Sequence, residues 1–251
     1  MNGSELVKGM VKHLPEGVGV TGGLTGDGAD FKETLVGANQ ISEIKNVVAI
    51  GFYGTRLKVH CGSVSGFTPF GPERKITRSE NNILYELDGK PALELYEKYL
   101  GDRYKDFPTQ CFYFPLYYQT SKMEKGLVRT ILGFDKKSGS ITFAGDLEQG
   151  GTARLMKTNI DNLVSGAEEA AKVCLNAGTS FPDLAILMSC VGRKILMKQR
   201  VEEEIEAVEE IFGAKTSLAG FYSYGEIAPI DDSENSHLHN QTMSITTFSE
   251  T

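Results

Sequence analysis

Apolar positions along the chain change period several times, and each change marks an element. Leu6, Val7, Met10, Val11 and Leu14 recur at helical spacing until Pro15-Glu16-Gly17 stops them. Val18-Gly19-Val20 then reads as a short strand entering a tight glycine-rich turn, Gly22 to Gly28. Val47 to Phe52 and Leu57 to Cys61 flank Tyr53-Gly54-Thr55-Arg56 and predict a hairpin. Pro91 stands at a first helical position, Ala92, Leu95, Tyr96 and Tyr99 share one face, and Gly101 ends that helix.

The second half alternates more cleanly. Val128 to Phe134 and Ser140 to Ala144 predict strands joined by a turn at Asp135 to Gly139, with a third strand near Ala153 to Met156. Asn159 or Asp161 can cap a helix carrying Leu163, Val164, Ala167, Ala171 and Cys174, closed by Gly178. Leu184 to Met188 is a fully apolar strand. A helix opening at Arg193 shows Met197, Val201, Ile205, Val208 and Phe212 on one face, and Gly213 ends it. Its glutamates, Glu202, Glu203, Glu204, Glu206, Glu209 and Glu210, read as the solvated side. An aromatic strand, Gly220 to Tyr224, stops at Gly225-Glu226 and turns at Pro229; after a polar loop, a strand through Met243, Ile245 and Phe248 returns. The order helix, turn, strand, Gly-acid occurs twice, at Leu6 to Asp27 and at Val201 to Glu226, which suggests an internal repeat.

With 251 residues the chain can bury roughly 70–75% of its unfolded surface and needs no staples. A formal charge of −7 argues against a nucleic-acid groove or an anionic membrane surface, which call for clustered Lys and Arg. Cys61, Cys111, Cys174 and Cys190 form no CxxC pair and read as reduced thiols of a cytoplasmic protein. No apolar run reaches the ~20 residues of a membrane helix.

The candidate chemistry sits where strands end. The Gly22 to Gly28 turn lacks the Lys-Ser/Thr ending of a P-loop, and Gly62-Ser63-Val64-Ser65-Gly66 carries Val64 where a nucleophile elbow needs its nucleophile. His237 and His239, with Asp231, Asp232 and Glu234, lack a further ligand motif for a metal. Arg193 and Glu226 each follow an apolar strand. A planar fork for a carboxylate and a carboxylate for an amine are the two halves of an amino-acid site, unless the pair bridge one another. Tyr222, Tyr224, Asn240 and Cys190 are the further ligand-binding candidates, with Tyr53 and Arg129 weaker ones.

The stretch from Gly220 to Pro229, followed by His239-Asn240-Gln241-Thr242, resembles the signature of the FIST proteins, a sensory module of bacterial signal transduction also found in some F-box proteins. Cys190-Val191-Gly192-Arg193 and Val20 to Gly28 fit the same family. The resemblance implies that residues 1–105 are the C-terminal part of a FIST N-terminal region, with Met1 falling inside a longer lobe, and residues 106–251 a FIST C-terminal domain. An exposed apolar surface near Met1 to Val20 is then expected.

The expected fold is α+β, with mixed, mostly antiparallel β-sheets covered by helices, allowing two similar lobes. The expected function is a cytoplasmic small-ligand sensor, with amino acids as one ligand class, that signals to a separate downstream protein without nucleic acid or membrane insertion. No enzyme is expected, and no cofactor is selected. The rivals are a protein-interaction module, a haem-binding sensor using His60 and His239, and an enzyme using Cys190 or Glu226.

Overall fold

The computed structural model describes residues 2–15, 17–39, 43–101, 109–178, 180–230 and 235–250, with the backbone alone at Thr109 and Gln110. The first part of the chain holds α1 (Gly3–Val11), β1 (Gly22–Thr25), β2 (Leu35–Val36), β3 (Glu43–Ile44), β4 (Leu57–Val64) and β5 (Thr68–Pro69). Then come β6 (Arg74–Glu80), β7 (Ile83–Leu87), β8 (Lys90–Pro91), α2 (Ala92–Leu100), α3 (Thr109–Phe112), β9 (Leu116–Gln119), β10 (Leu127–Arg129), β11 (Ile131–Asp135), β12 (Ser140–Phe143) and β13 (Thr152–Lys157). The last part is α4 (Ile160–Ala177), β14 (Leu184–Cys190), α5 (Val191–Met197), a 3-10 turn, α6 (Glu202–Phe212), β15 (Ser217–Pro229), β16 (Ser236–His239) and β17 (Met243–Glu250).

Two large sheets result, and the α+β expectation holds. One runs β10-β9-β13-β6-β7-β12-β11, with β5 on β13 and β8 on β7. Only Thr130 separates β10 from β11, so the two ends of this sheet meet and it forms a nearly closed barrel. Its core is Ile76, Leu84, Leu116, Ile131, Ile141 and Phe143, capped by Leu93 and Tyr96 of α2. The other sheet runs β1-β15-β14-β17-β4, with β16 beside the far half of β15. Within it β14 and β15 are parallel and the remaining pairs antiparallel.

The helices α4 and α6 cover one face of this second sheet. Ala167, Ala170 and Ala171 with Val208 and Phe212 meet Ala185, Leu187, Met243 and Ile245. Small residues let α4 come close: a Cβ at Gly62 of β4 would lie 2.3 Å from the Ala170 carbonyl oxygen. Asn159 caps α4 through the Asn162 N–H, as its position predicts. Strand alternation sends Ile186, Met188, Thr246, Phe248, Val59 and Cys61 to the opposite face. Among the described residues no helix covers that face along its length.

Four expectations change. Gly22–Thr25 is a strand rather than a turn, and residues 18–20 are irregular, because β15 offers Gly22 and Gly23 antiparallel partners at Ile227 and Glu226. Residues 46–53 form no hairpin with β4. The helix beginning near Arg193 breaks at Lys198, whose φ is +55°, into α5 and α6. Finally, β15 continues straight through Glu226 to Pro229 instead of stopping there. Among the described residues, no helix is long and apolar enough to cross a membrane.

Candidate functional site

The uncovered sheet face is the floor of a trough of about 2160 Å³. Its walls are α1 and residues 17–25 on one side and residues 45–53 on the other; Thr130, Leu132 and Ala144 of the barrel close one end. Most of the lining is apolar: Leu6, Met10, Ile186, Met188, Phe221 and Phe248 are representative.

Polarity concentrates at the barrel end, around the turn from β16 into β17. Asn240 there is almost fully buried; its Nδ2 donates to the His239 carbonyl at 2.9 Å and its Oδ1 accepts from the Thr130 N–H at 3.5 Å. Gln241 takes a φ of +61°, a conformation that costs a non-glycine residue energy and persists where packing imposes it. The Cys190 N–H donates to the Thr242 carbonyl at 3.0 Å, which ties the end of β14 to the same turn. Two buried polar atoms here, Thr130 Oγ1 and Gln241 Oε1, have no hydrogen-bond partner among the described residues.

Behind this end lies a chain of hydroxyls linking two buried titratable groups. Three residues of β15 oppose two of β1, a bulge that brings Ser223 and Glu226 together. Ser223 Oγ donates to Glu226 Oε1 at 2.5 Å, and Thr242 Oγ1 lies 3.0 Å from Oε2. Thr242 Oγ1 is 3.1 Å from Ser244 Oγ, which is 2.7 Å from Ser63 Oγ, itself 3.5 Å from His239 Nδ1. The His239 Nε2–H donates to the Ala228 carbonyl at 2.9 Å, leaving Nδ1 as an acceptor. Each hydroxyl owns one proton. The four links therefore need one more proton at one end: on Glu226, with each group donating onward to His239, or on His239 Nδ1, with Thr242 donating to the carboxylate. Burial favours the first arrangement, because it raises Glu226 to about 7 and lowers His239 to about 4, pushing both toward neutrality.

Arg193 belongs to a different cluster. It is 0% exposed, as is Glu204 of α6. Its Nε and Nη2 donate to Glu204 Oε2 at 3.0 and 2.8 Å, Nη2 also to the Leu163 carbonyl, and Nη1 to the Ser65 carbonyl at 2.9 Å. Ser189 Oγ and Tyr222 Oη donate to Glu204 Oε1 at 2.9 and 2.8 Å. Glu204 is thus no part of a solvated helix side.

Of the sequence-level candidates, Cys190, Tyr224 and Asn240 line the trough. Arg193 and Tyr222 face Glu204 instead, and Glu226 sits behind the lining; neither one shared Arg193–Glu226 cleft nor a bridge between them is present. Tyr224 stacks on Phe31 with ring centres 4.9 Å apart and donates to Asp27, whose carboxyl it holds well below the usual range. The four cysteines are free thiols. Burial pushes Cys111 to about 11 and Cys174 to about 12, while burial and the nearby Glu226 raise Cys190 further still. Tyr53 is fully in solvent apart from the trough wall, and Arg129 is buried at the joint with the barrel. His60 lines the trough, whereas both His239 nitrogens have partners inside. Asp231, Asp232 and Glu234 lie outside the described residues, as does Met1; among the described residues no group of three His, Cys, Asp or Glu could hold a metal. Near the N-terminus Leu14 and Val18 are exposed on the trough wall, whereas Val7 is buried against Ile227 and Leu238 with Val11 packed beside it. Sequence reasoning missed Thr130 and the 240–242 turn geometry; the polar pair Arg129-Thr130 interrupting the apolar run Leu127 to Leu132 was the available signal.

Comparison with known proteins agrees with the resemblance. The FIST N domain is matched over residues 1–90 and the FIST C domain over residues 92–229. An uncharacterized protein of Methanocaldococcus jannaschii is 27% identical over 210 aligned residues, covering 73% of this chain and 40% of that protein. An uncharacterized protein of Mycobacterium tuberculosis is 25% identical, covering 97% of this chain and 64% of its own length. One of Mycobacterium bovis is 24% identical, covering 92% and 61%. The chain thus spans 40% to 64% of the length of these relatives. Strands from both matched regions share the second sheet, since β1 and β4 flank β14, β15 and β17. The chain belongs to the FIST family, whose domains are sensory domains of signal transduction.

Proposed function

We propose that this chain senses a small molecule that binds at the barrel end of the trough, and passes that signal to a separate protein. The observation that carries this reading is Thr130 Oγ1, a buried hydroxyl without a partner beside an apolar cavity. Native interiors rarely leave such a group unpaired, and ligand sites combine apolar walls with a few convergent polar atoms. Asn240 stands beside it through the Thr130 N–H, and Cys190 lines the same trough. The ligand chemistry that fits is a small, mostly apolar molecule with one hydrogen-bonding end. Because every Arg193 nitrogen already donates, an amino acid bound here has no free guanidinium for its carboxylate.

A thermal-shift screen of the full chain against amino acids, nucleotides, apolar carboxylic acids and haem tests the reading. A ligand at 100 times its dissociation constant adds about 2.7 kcal/mol. Thr130→Val keeps the shape and removes the hydroxyl, so it should leave the ligand-free melt nearly unchanged and cut the ligand-induced shift. No shift with any class, or a full shift retained in Thr130→Val, removes this end of the trough as the site.

A further inference from the structure

A small-molecule pocket occupies about 300–1,000 Å³, so the trough of about 2160 Å³ is too large for one such ligand. The large apolar side chains exposed among the described residues line it in every case except Leu35, Ile44, Phe181 and Ile205. Apolar exposure this concentrated marks a surface that something covers.

Two features say what. Residues 46–53, Asn-Val-Val-Ala-Ile-Gly-Phe-Tyr, carry no charge and are rich in β-branched and aromatic side chains, yet they belong to no sheet. Ile50 is 77% exposed and Tyr53 94%. The hydrogen bond their backbone makes among the described residues is local, Val47 N–H to Asn46 Oδ1 at 2.8 Å. Second, β4 pairs with β17 along one edge, and no described strand takes its other edge. An eight-residue open edge beside an eight-residue unpaired strand segment leaves two complementary sets of backbone donors and acceptors unmet. Within one copy the segment instead forms one wall of the trough, with Phe52 against Phe248 at 4.9 Å.

We propose that two copies of this chain pair here: residues 46–53 of each extend antiparallel along the open β4 edge of the other, across a two-fold axis. Unrelated partners fit less well. A strand added to β4 would leave 46–53 exposed, and a foreign sheet edge taking 46–53 would leave β4 open. Exchange between identical copies satisfies both sets at once, as an isologous contact does. Charge permits it, because Lys58 is the charged residue of β4 and alternation points it away from the face shared by Val59 and Cys61. The inference goes beyond the small-ligand reading and does not depend on it.

Sedimentation and light scattering of the full chain from about 1 to 100 µM, with amide exchange read at both ends, test it. A discrete dimer is expected, with slower exchange over residues 46–53 at the high concentration. Ile50→Lys, on a side chain the monomer leaves in water, should raise the dimer dissociation constant about tenfold or more. Phe181→Lys, exposed outside the trough, should leave it unchanged. A monomer throughout, polydisperse aggregates, a dimer indifferent to Ile50→Lys, or equal exchange of 46–53 at both concentrations overturns the proposal. The ligand screen repeated on Ile50→Lys keeps the two readings apart: a dimer that answers no ligand refutes sensing alone, and a ligand-responsive monomer refutes pairing alone.

Discussion

Two buried carboxylates meet different partners here. Glu204 faces a guanidinium and two hydroxyls, whereas Glu226 faces hydroxyls and one amide. For Glu226, raised to about 7, the native state keeps a proton that the unfolded chain loses near 4.5. Stability from this group is therefore full below about 4.5 and lost as pH rises to about 7, by roughly 3 kcal/mol. His239, lowered to about 4, acts oppositely: the unfolded chain takes a proton below about 6.5 that the native site refuses, so stability falls as pH falls. The two slopes oppose one another between pH 4.5 and 6.5. Glu226→Gln places an amide N–H where the protonated acid would donate to Thr242. We expect it to match the parent protein near pH 5 and exceed it by up to ~3 kcal/mol near pH 8. Urea denaturation at the two pH values checks this, and an equal difference at both would refute a titrating Glu226. At this scale the sequence was only half legible. The strand-end placement of Arg193 was visible, but its partner eleven residues on was hidden in a run of glutamates. Glu204 stands four before Val208 and eight before Phe212, so helical spacing alone puts it on the apolar stripe. The bulge that brings Ser223 to Glu226 leaves no mark in the alternation.

Elements with strong local signals were legible in outline: α4 between Asn159 and Gly178, α2 between Pro91 and Gly101, and the apolar β14. Weak ones were decided by partners. Gly22–Thr25 reads as a turn by composition and becomes a strand because β15 runs beside it; residues 46–53 read as a strand and lack a neighbour in the same copy. Glycine shows the same dependence, and two substitutions separate its roles. At Gly62 an added methyl meets the Ala170 carbonyl oxygen at 2.3 Å, so α4 must move off β4. Gly62→Ala should cost ~1–3 kcal/mol, as overpacking does. Gly9 lies inside α1 with nothing within 4 Å of an added Cβ. Gly9→Ala should stabilise by ~0.5–1 kcal/mol by removing backbone freedom from the unfolded chain. Thermal melts of the two variants moving in opposite directions would support this division, and a Gly62→Ala melt at or above the parent's would contradict the close approach of α4.

For the whole molecule, the question is what holds the barrel against the second sheet. Hydrophobic patterning predicts each layer but not their joint, where Met156 of β13 packs with Leu163 of α4 and with Leu196 and Met197 of α5, and where long-range polar contacts that leave no periodicity are added. Arg129 at the end of β10 is almost fully buried; its Nη1 donates to the Leu238 carbonyl of β16 at 2.8 Å and its Nε to the Asp146 carbonyl of the barrel at 3.0 Å. Burial pushes it down to about 10, so it is still a cation at neutral pH, balanced by carbonyl dipoles and the nearby Asp146. Asp146 also accepts from Asn2 Nδ2 at 2.7 Å and Lys8 Nζ at 2.8 Å, which ties α1 to the same point. Arg129→Met keeps the apolar stem and removes every donor, leaving the Leu238 and Asp146 carbonyls unpaired in the interior. Each such group costs ~1–3 kcal/mol, so a total loss of ~2–4 kcal/mol is expected. The loss should not be uniform. With the joint broken, β16 and α1 should exchange their amide hydrogens well before β11 and β12 of the barrel, while in the parent protein the four open together. Native-state hydrogen exchange resolved by element distinguishes the cases: equal acceleration in all four would mean that Arg129 supports the barrel alone and that the joint lies elsewhere.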